Sequence, residues 1–348
     1  MRRIFGPALV LLFLAPVLGE LLSGSMPPAE FFSPALVLIV ILYGGGAILV
    51  RELAFRFRKG WPTLLVLGCA YGVVEEGLMC KSFFDPQWMD VGTLGAYGRW
   101  LGVNWIWSLC LTAYHATVST AIPITLVGLV FPKRRDTSWA GKPLLVVLAV
   151  LLAADVTLGC LFFGADEASG RPPYRPSVVA YVVCVLVVAA LVVLALRLAA
   201  PSPGPLGAGR RPARHVWFVL TGLLAGVWFF ATMYVLPNAV TEAGRRLHPV
   251  ADAALIIAGA ALVLGLVWRL SRGGAGWTDG RRLALCAGGL GILILLAPLA
   301  ENDPNRRDNP AGMALVGLAV FVFLIVLAWR IARRAKAPGA GTEGVKAE

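Results

Sequence analysis

The chain has 348 residues, 58% of them hydrophobic and only 14% charged, with a mean hydropathy of +0.78. Soluble domains sit nearer half apolar and a quarter charged, so this composition excludes a water-soluble globular protein and leaves no polar stretch long enough for a separate soluble domain. The net charge of +12 does not point to nucleic acid, because the basic residues stand in short clusters between apolar runs and form no contiguous phosphate-binding face.

Crossing a hydrocarbon core ~30 Å thick takes ~20 apolar residues in a helix. Ten runs reach that length, which predicts an all-α polytopic bundle forming one integral membrane domain over 1–336, with a disordered cytoplasmic tail at 337–348. Span one, 4–22, follows Met1-Arg2-Arg3 and lacks an A-x-A cleavage site; with nine spans after it, it reads as a retained signal anchor that places Glu20 at the interface. Span two, 34–54, carries Gly44-Gly45-Gly46 and ends in Arg51 and Glu52, with Arg56 at i,i+4 spacing from Glu52 for an ordinary ion pair. Span three, 61–82, contains Glu75 and Glu76, with Lys81 and Asp85 just beyond. Residues 83–103 form an aromatic, glycine-rich connection that lies along or dips into the membrane; Trp88, Trp100, Trp105 and Trp107 suit an interfacial belt.

Span four, 104–131, bears Ser108, Thr112, His115 and Ser119 on one helical stripe, continued by Pro123, a candidate kink. Span five, 143–163, holds Asp155, and span six covers 177–199. A Pro/Gly-rich basic linker, 200–215, leads to span seven at 216–236. Spans eight to ten are 250–270, opened by His248 and Asp252, then 282–300 and 312–332. Six cysteines fall in or beside apolar runs with no CxxC, which supports neither a disulfide framework nor a thiolate zinc site.

Charge then sets orientation. Of the 31 Lys plus Arg, the loops on one side hold only Lys81, Arg99, Arg171, Arg175, Arg245, Arg246, Arg306 and Arg307, and all the others fall on the opposite side. Basic residues favour the cytoplasm, so both termini are expected inside a plasma membrane.

The glutamates are the anomaly. A charged side chain near a helix centre costs roughly 2.5–3.5 kcal/mol, so carboxylates ~10 Å deep default to functional candidates. Gly68 and Gly72 precede Glu76 at intervals of four, a small-residue face that turns Glu76 toward protein, and Glu75 shares its face with Tyr71 and Met79. His115, ~16 Å in from Asn104, is within reach of both. Lys81 is expected to snorkel outward and partly neutralise the pair, with Thr112, Ser119 and Asp155 supporting. His248 and Asp252 read equally well as ordinary helix capping.

This arrangement resembles the CAAX-protease and bacteriocin-processing family of intramembrane peptidases, whose pattern runs Glu-Glu-x-x-x-Arg, Phe-x-x-x-His and His-x-x-x-Asn/Asp. Glu75 and Glu76 match the pair, although Cys80 stands at the Arg position; His115 matches the second element, with Leu111 in place of Phe; His248 and Asp252 fit the third in spacing. The resemblance covers spans three, four and the start of eight, and implies that Glu75 or Glu76 activates water while His115 and His248 orient it or stabilise an oxyanion. It also implies that Glu76, His115 and His248 are able to hold a zinc ion with an open position. The stretch 50–78 is similar, too, to multi-pass bacterial proteins to which no activity attaches.

No HExxH, GxSxG, P-loop or DxD is present. Three readings stand: a glutamate/histidine-dependent intramembrane hydrolase, a proton- or cation-coupled transporter of small molecules, and a membrane assembly or sensing protein. The partners expected are the lipid bilayer and a membrane-embedded peptide or small molecule, not nucleic acid.

Overall fold

The computed structural model describes residues 6–165, 170–198, 213–240, 244–272, 277–304, 306 and 308–336. Most of the linker expected at 200–215 and the tail after Lys336 lie outside the described residues. Among the described residues the ten longer apolar helices are α1 Gly6–Leu21, α2 Leu36–Arg56, α3 Trp61–Met79, α4 Trp105–Val130, α5 Lys142–Phe162, α6 Val178–Arg197, α7 His215–Asn238, α8 Pro249–Ser271, α9 Asp279–Glu301 and α10 Met313–Lys336. Among the described residues, nine are long and apolar enough to cross a membrane and α1 is the shorter tenth. The protein is an all-α polytopic helix bundle.

Local chemistry sets the helix starts. The Asn104 side chain accepts from Trp107 N at 3.1 Å to cap α4, Ser177 caps α6 from Ala180 N at 3.2 Å, and Thr278 caps α9 from Arg281 N at 3.3 Å. Pro62, Pro143 and Pro249 occupy first turns, where the missing N–H costs nothing.

Burial divides the bundle. The central windows of α2, α3 and α4 are 56%, 61% and 67% buried, against 17% for α5 and 11% for α6, so the first group is surrounded by protein and the second faces outward. Helix α3 is the hub, packed against α2, α4, α5 and α6; α7 packs on α8 and α9, and α9 on α10 and α4. Two apolar helices gain little hydrophobic energy by meeting in lipid, so contact depends on close van der Waals approach through small residues. Gly68 shows how close: a Cβ there would stand 2.5 Å from Thr120 Oγ1 and 2.7 Å from Ala116 Cα of α4. At Gly72 it would stand 3.0 Å from His115 Cβ.

Five helices widen into a π turn: Val17–Leu21 in α1, Val40–Gly45 in α2, Val73–Met79 in α3, His115–Ala121 in α4 and Ala231–Val235 in α7. The glycine run of α2 and the stretch before Pro123 in α4 therefore carry widened turns. Such insertions concentrate at functional positions.

Residues 80–104 fold into a cap. A short antiparallel pair, β1 Arg99–Trp100 and β2 Val103–Asn104, turns through Leu101 and Gly102, at φ +52° and +78°. Two successive left-handed residues are what a tight hairpin twist requires. Phe83, Phe84, Val91, Leu94 and Tyr97 are buried in a cluster that includes Ile106 and Trp107 of α4, Cys184 of α6, Met233 of α7 and Ile256 of α8. Tyr97 ionises only near about 12, because burial and then the Asp252 carboxylate disfavour its anion. The expected interfacial belt is corrected at one residue: Trp100 and Trp105 are exposed, but Trp107 is buried.

The opposite ends of α2 and α4 are tied together as well. Arg51 and Glu52 form a buried ion pair; Arg51 also donates to the carbonyls of Arg135 at 2.8 Å and Thr137 at 2.6 Å and lies 4.0 Å from the Trp139 ring centroid. Glu52 accepts from Ser138 Oγ at 2.6 Å and Trp139 N at 2.8 Å. The anticipated Arg56–Glu52 pair is present at 3.7 Å, but Glu52 mainly holds the loop after α4.

Candidate functional site

Because Gly68 and Gly72 bring α3 onto α4, the π turns of the two helices face each other. Glu75, Glu76, His115 and Ser119 are all buried there. His115 Nε2 lies 3.0 Å from Glu76 Oε1, while Nδ1 lies 3.1 Å from Ser119 Oγ and 3.2 Å from Glu75 Oε2. The last contact has ion-pair distance but not hydrogen-bond geometry, and Glu75 Oε2 has no hydrogen-bond partner among the described residues. The imidazole thus lies between two carboxylates. Consecutive residues of an ordinary α-helix point well apart; the wider π turn reduces that divergence and lets Glu75 and Glu76 both face inward.

The second oxygen of Glu76 accepts from the Ser82 hydroxyl, and Ser82 Oγ in turn accepts from Trp107 Nε1 at 2.9 Å. The cap therefore fixes the orientation of Glu76. On the other flank the Tyr43 hydroxyl donates to Glu20, and the Tyr114 hydroxyl donates to Gly19 O at 2.8 Å. The rings of Tyr43, Tyr71 and Tyr114 have centroids 6.0, 6.0 and 5.6 Å from that of His115. The Tyr71 hydroxyl is buried beside Glu75, in interaction with that carboxylate but without a hydrogen bond of good geometry. Glu20, Tyr43, the glutamate pair, His115 and Ser119 all sit in π turns.

Several expected members lie elsewhere. Lys81 does not snorkel: it is fully buried in a left-handed conformation (φ +64°), and Nζ donates to the carbonyls of Gly159, Cys160 and Phe163 at 3.2, 2.8 and 2.7 Å. These carbonyls close α5, where a cation is favoured, and Gly159 O also accepts from Phe163 N at 2.9 Å. Thr112 is half-buried at the α3 crossing, with its Cα, not its hydroxyl, beneath Gly72, and Ser108 bonds its own helix at Asn104 O, 2.6 Å. Asp155 is buried and unpartnered on the stripe of α5 shared with Leu148 and Gly159, outside the hydrogen-bonded cluster. His248 is exposed and caps α8, accepting from Val250 N at 3.3 Å. It does not join the cluster, so the Glu76, His115 and His248 set expected for zinc is not assembled. The three donors that do converge are Glu75, Glu76 and His115, with ligand atoms all within 4.8 Å of one another.

Sequence reading missed Glu20, Tyr43, Ser82 and Trp107. Glu20 resembled a residue at a span end, and Trp107 an interfacial anchor. The one usable signal was Tyr71 on the Glu75 face.

The comparisons agree with the membrane architecture and add no chemistry. An "Uncharacterized protein" of Archaeoglobus fulgidus is 26% identical over 168 residues, 46% of this chain and 50% of that protein, so the chain spans about half the length of this curated relative. The relative is archaeal and lends no support to a bacterial origin, and neither match bears the CAAX-protease name. No solved structure matches. A family model described as "Uncharacterized membrane protein family" matches residues 9–243, which include every residue of the cluster, most of α1 and helices α2 to α7. The chain belongs to that membrane protein family.

Proposed function

We propose that the protein is an intramembrane hydrolase in which Glu76 and His115 activate water. The observation that carries this reading is the 3.0 Å contact between Glu76 Oε1 and His115 Nε2, with both partners oriented from behind: Ser82 holds the other Glu76 oxygen, and Ser119 and Glu75 stand at Nδ1. A base held by a second group that is itself fixed is the arrangement general acid–base catalysis needs. Glu76 takes the proton of a water attacking an amide or ester carbonyl, and the Glu76–His115 contact carries that proton to the leaving group. The Tyr71 hydroxyl, held loosely beside Glu75, is the donor for the developing oxyanion. The charge bias of the loops supports a position of the cluster toward the extracytoplasmic face of a plasma membrane, with a membrane-embedded peptide or ester as the proposed substrate. Reconstituted protein should cleave members of a panel of membrane-inserted peptides and lipid esters, and Glu76→Gln should lower the rate by ~10²-fold or more. A rate unchanged by that substitution would remove Glu76 from the chemistry.

A proton-coupled transporter is the second reading, favoured by the succession of polar side chains across four helices and the cap, from Glu20 and Tyr43 through Glu75, His115 and Glu76 to Ser82 and Trp107. Proton flux into liposomes that stops in Glu76→Gln, without cleavage of any panel member, would select it.

A further inference from the structure

We propose that Glu75, Glu76 and His115 bind a divalent transition-metal ion of the zinc or manganese class. The inference begins with charge. In their ion pairs, Glu75 and Glu76 share His115 alone among the described residues, because Lys81 is committed to the end of α5 and Glu20 is bonded to Tyr43. Two buried carboxylates with one shared imidazole need either protons or a cation to be neutral in a dry site. A doubly charged ion bound by two carboxylates and a neutral imidazole leaves no net charge.

Geometry supplies the second, independent ground. One donor atom from each residue lies within 4.8 Å of the others, and Glu75 Oε2 is buried against the cluster without a hydrogen-bond partner. Zinc bonds its oxygen and nitrogen ligands at roughly 2.0–2.2 Å, which puts neighbouring donors about 3–3.5 Å apart. Glu76 and His115 Nε2 already meet that spacing at 3.0 Å. Glu75 now faces the other ring nitrogen, and a side-chain rotation would bring it round. One imidazole with two carboxylates and no thiolate favours zinc, iron(II) or manganese over soft copper(I). Three protein ligands leave a position for water, with the Tyr71 hydroxyl nearby. The proposal rests on the hydrolase reading only for the use of that water, which the bound ion would activate with Glu76 and His115 as its ligands in place of their direct proton contact.

The test is metal analysis of the full-length protein in lipid nanodiscs, purified without chelator, then stripped and titrated with Zn²⁺ or Mn²⁺. One equivalent should bind, with affinity weakened by roughly 100-fold or more in Glu75→Gln and His115→Ala. His248→Ala and Asp155→Asn should bind like wild type. X-ray absorption of the loaded wild type should show oxygen and nitrogen ligands with a single imidazole, which decides the matter even if a variant fails to fold. Failure of the monodisperse wild type to bind either ion, or a sulfur ligand in its spectrum, overturns the site. So does binding unaltered in both cluster variants. Hydrolysis that persists in stripped protein removes the metal from the chemistry and spares the Glu76–His115 pair, the site itself being judged by the titration; bound metal without hydrolysis of any substrate spares the site and removes the hydrolase.

Discussion

At Tyr71 and Ser82 the same kind of group, a buried hydroxyl, has opposite expected roles. Ser82 donates to Glu76 and accepts from Trp107, so Ser82→Ala orphans two buried polar atoms. Each orphan costs about 1–3 kcal/mol, and a lower thermal midpoint in detergent is expected. The Tyr71 hydroxyl touches Glu75 without a well-formed hydrogen bond, so Tyr71→Phe should lower the midpoint less than Ser82→Ala while lowering turnover by roughly 10²-fold. A stability loss in Tyr71→Phe equal to that of Ser82→Ala would remove the oxyanion role. At this scale the sequence was partly legible. Glu75, Glu76 and His115 stood out because charge in hydrocarbon is costly and their spacing put them on facing stripes. Lys81 misled because a long basic side chain at a span end ordinarily reaches water; here three terminal carbonyls of a distant helix satisfy it instead. Only the tertiary fold shows that they are near.

Close approach of elements sets the site's dimensions. Gly68→Ala would push a methyl against Thr120 and the backbone of Ala116, an overpacking worth about 1–3 kcal/mol, and would part α3 from α4. Stability and turnover should fall together in that variant. Gly265→Ala in α8, with nothing within 4 Å of the added carbon, should raise stability by about 0.5–1 kcal/mol and leave turnover unchanged, as unfolding and cleavage assays would show. The spans themselves were readable within a few residues, since length and hydropathy dictate them. The π turns were not, because an inserted residue leaves no mark in hydropathy. Nor was the cap: its aromatic residues are equally compatible with an interfacial belt, and which ones turn inward depends on α4, α6, α7 and α8 meeting beneath them.

Across the whole molecule, the candidate site is concentrated in one half. Every cluster residue lies on α1 to α4 or the cap, within the region matched by the family model, whereas α5 and α6 face outward. A five-plus-five transporter would place its site between two halves; here the site belongs to the first alone. The orientation proposed from the loop charges is directly testable. Cysteine at exposed Trp100, in the cap, should label with an impermeant reagent on intact cells, and cysteine at exposed Thr137 only after permeabilisation. The reverse pattern would invert the topology and put the cluster at the cytoplasmic face. The central claim, that Glu76 and His115 direct water onto a carbonyl inside the membrane, is tested most directly by hydrolysis in ¹⁸O-labelled water, followed by mass spectrometry of the acid product. Wild type should yield product carrying one ¹⁸O, and Glu76→Gln and His115→Ala, folded to the same midpoint, should yield almost none. Labelled product formed at the wild-type rate by either variant, or none formed by the wild type from any substrate of the panel, would contradict it.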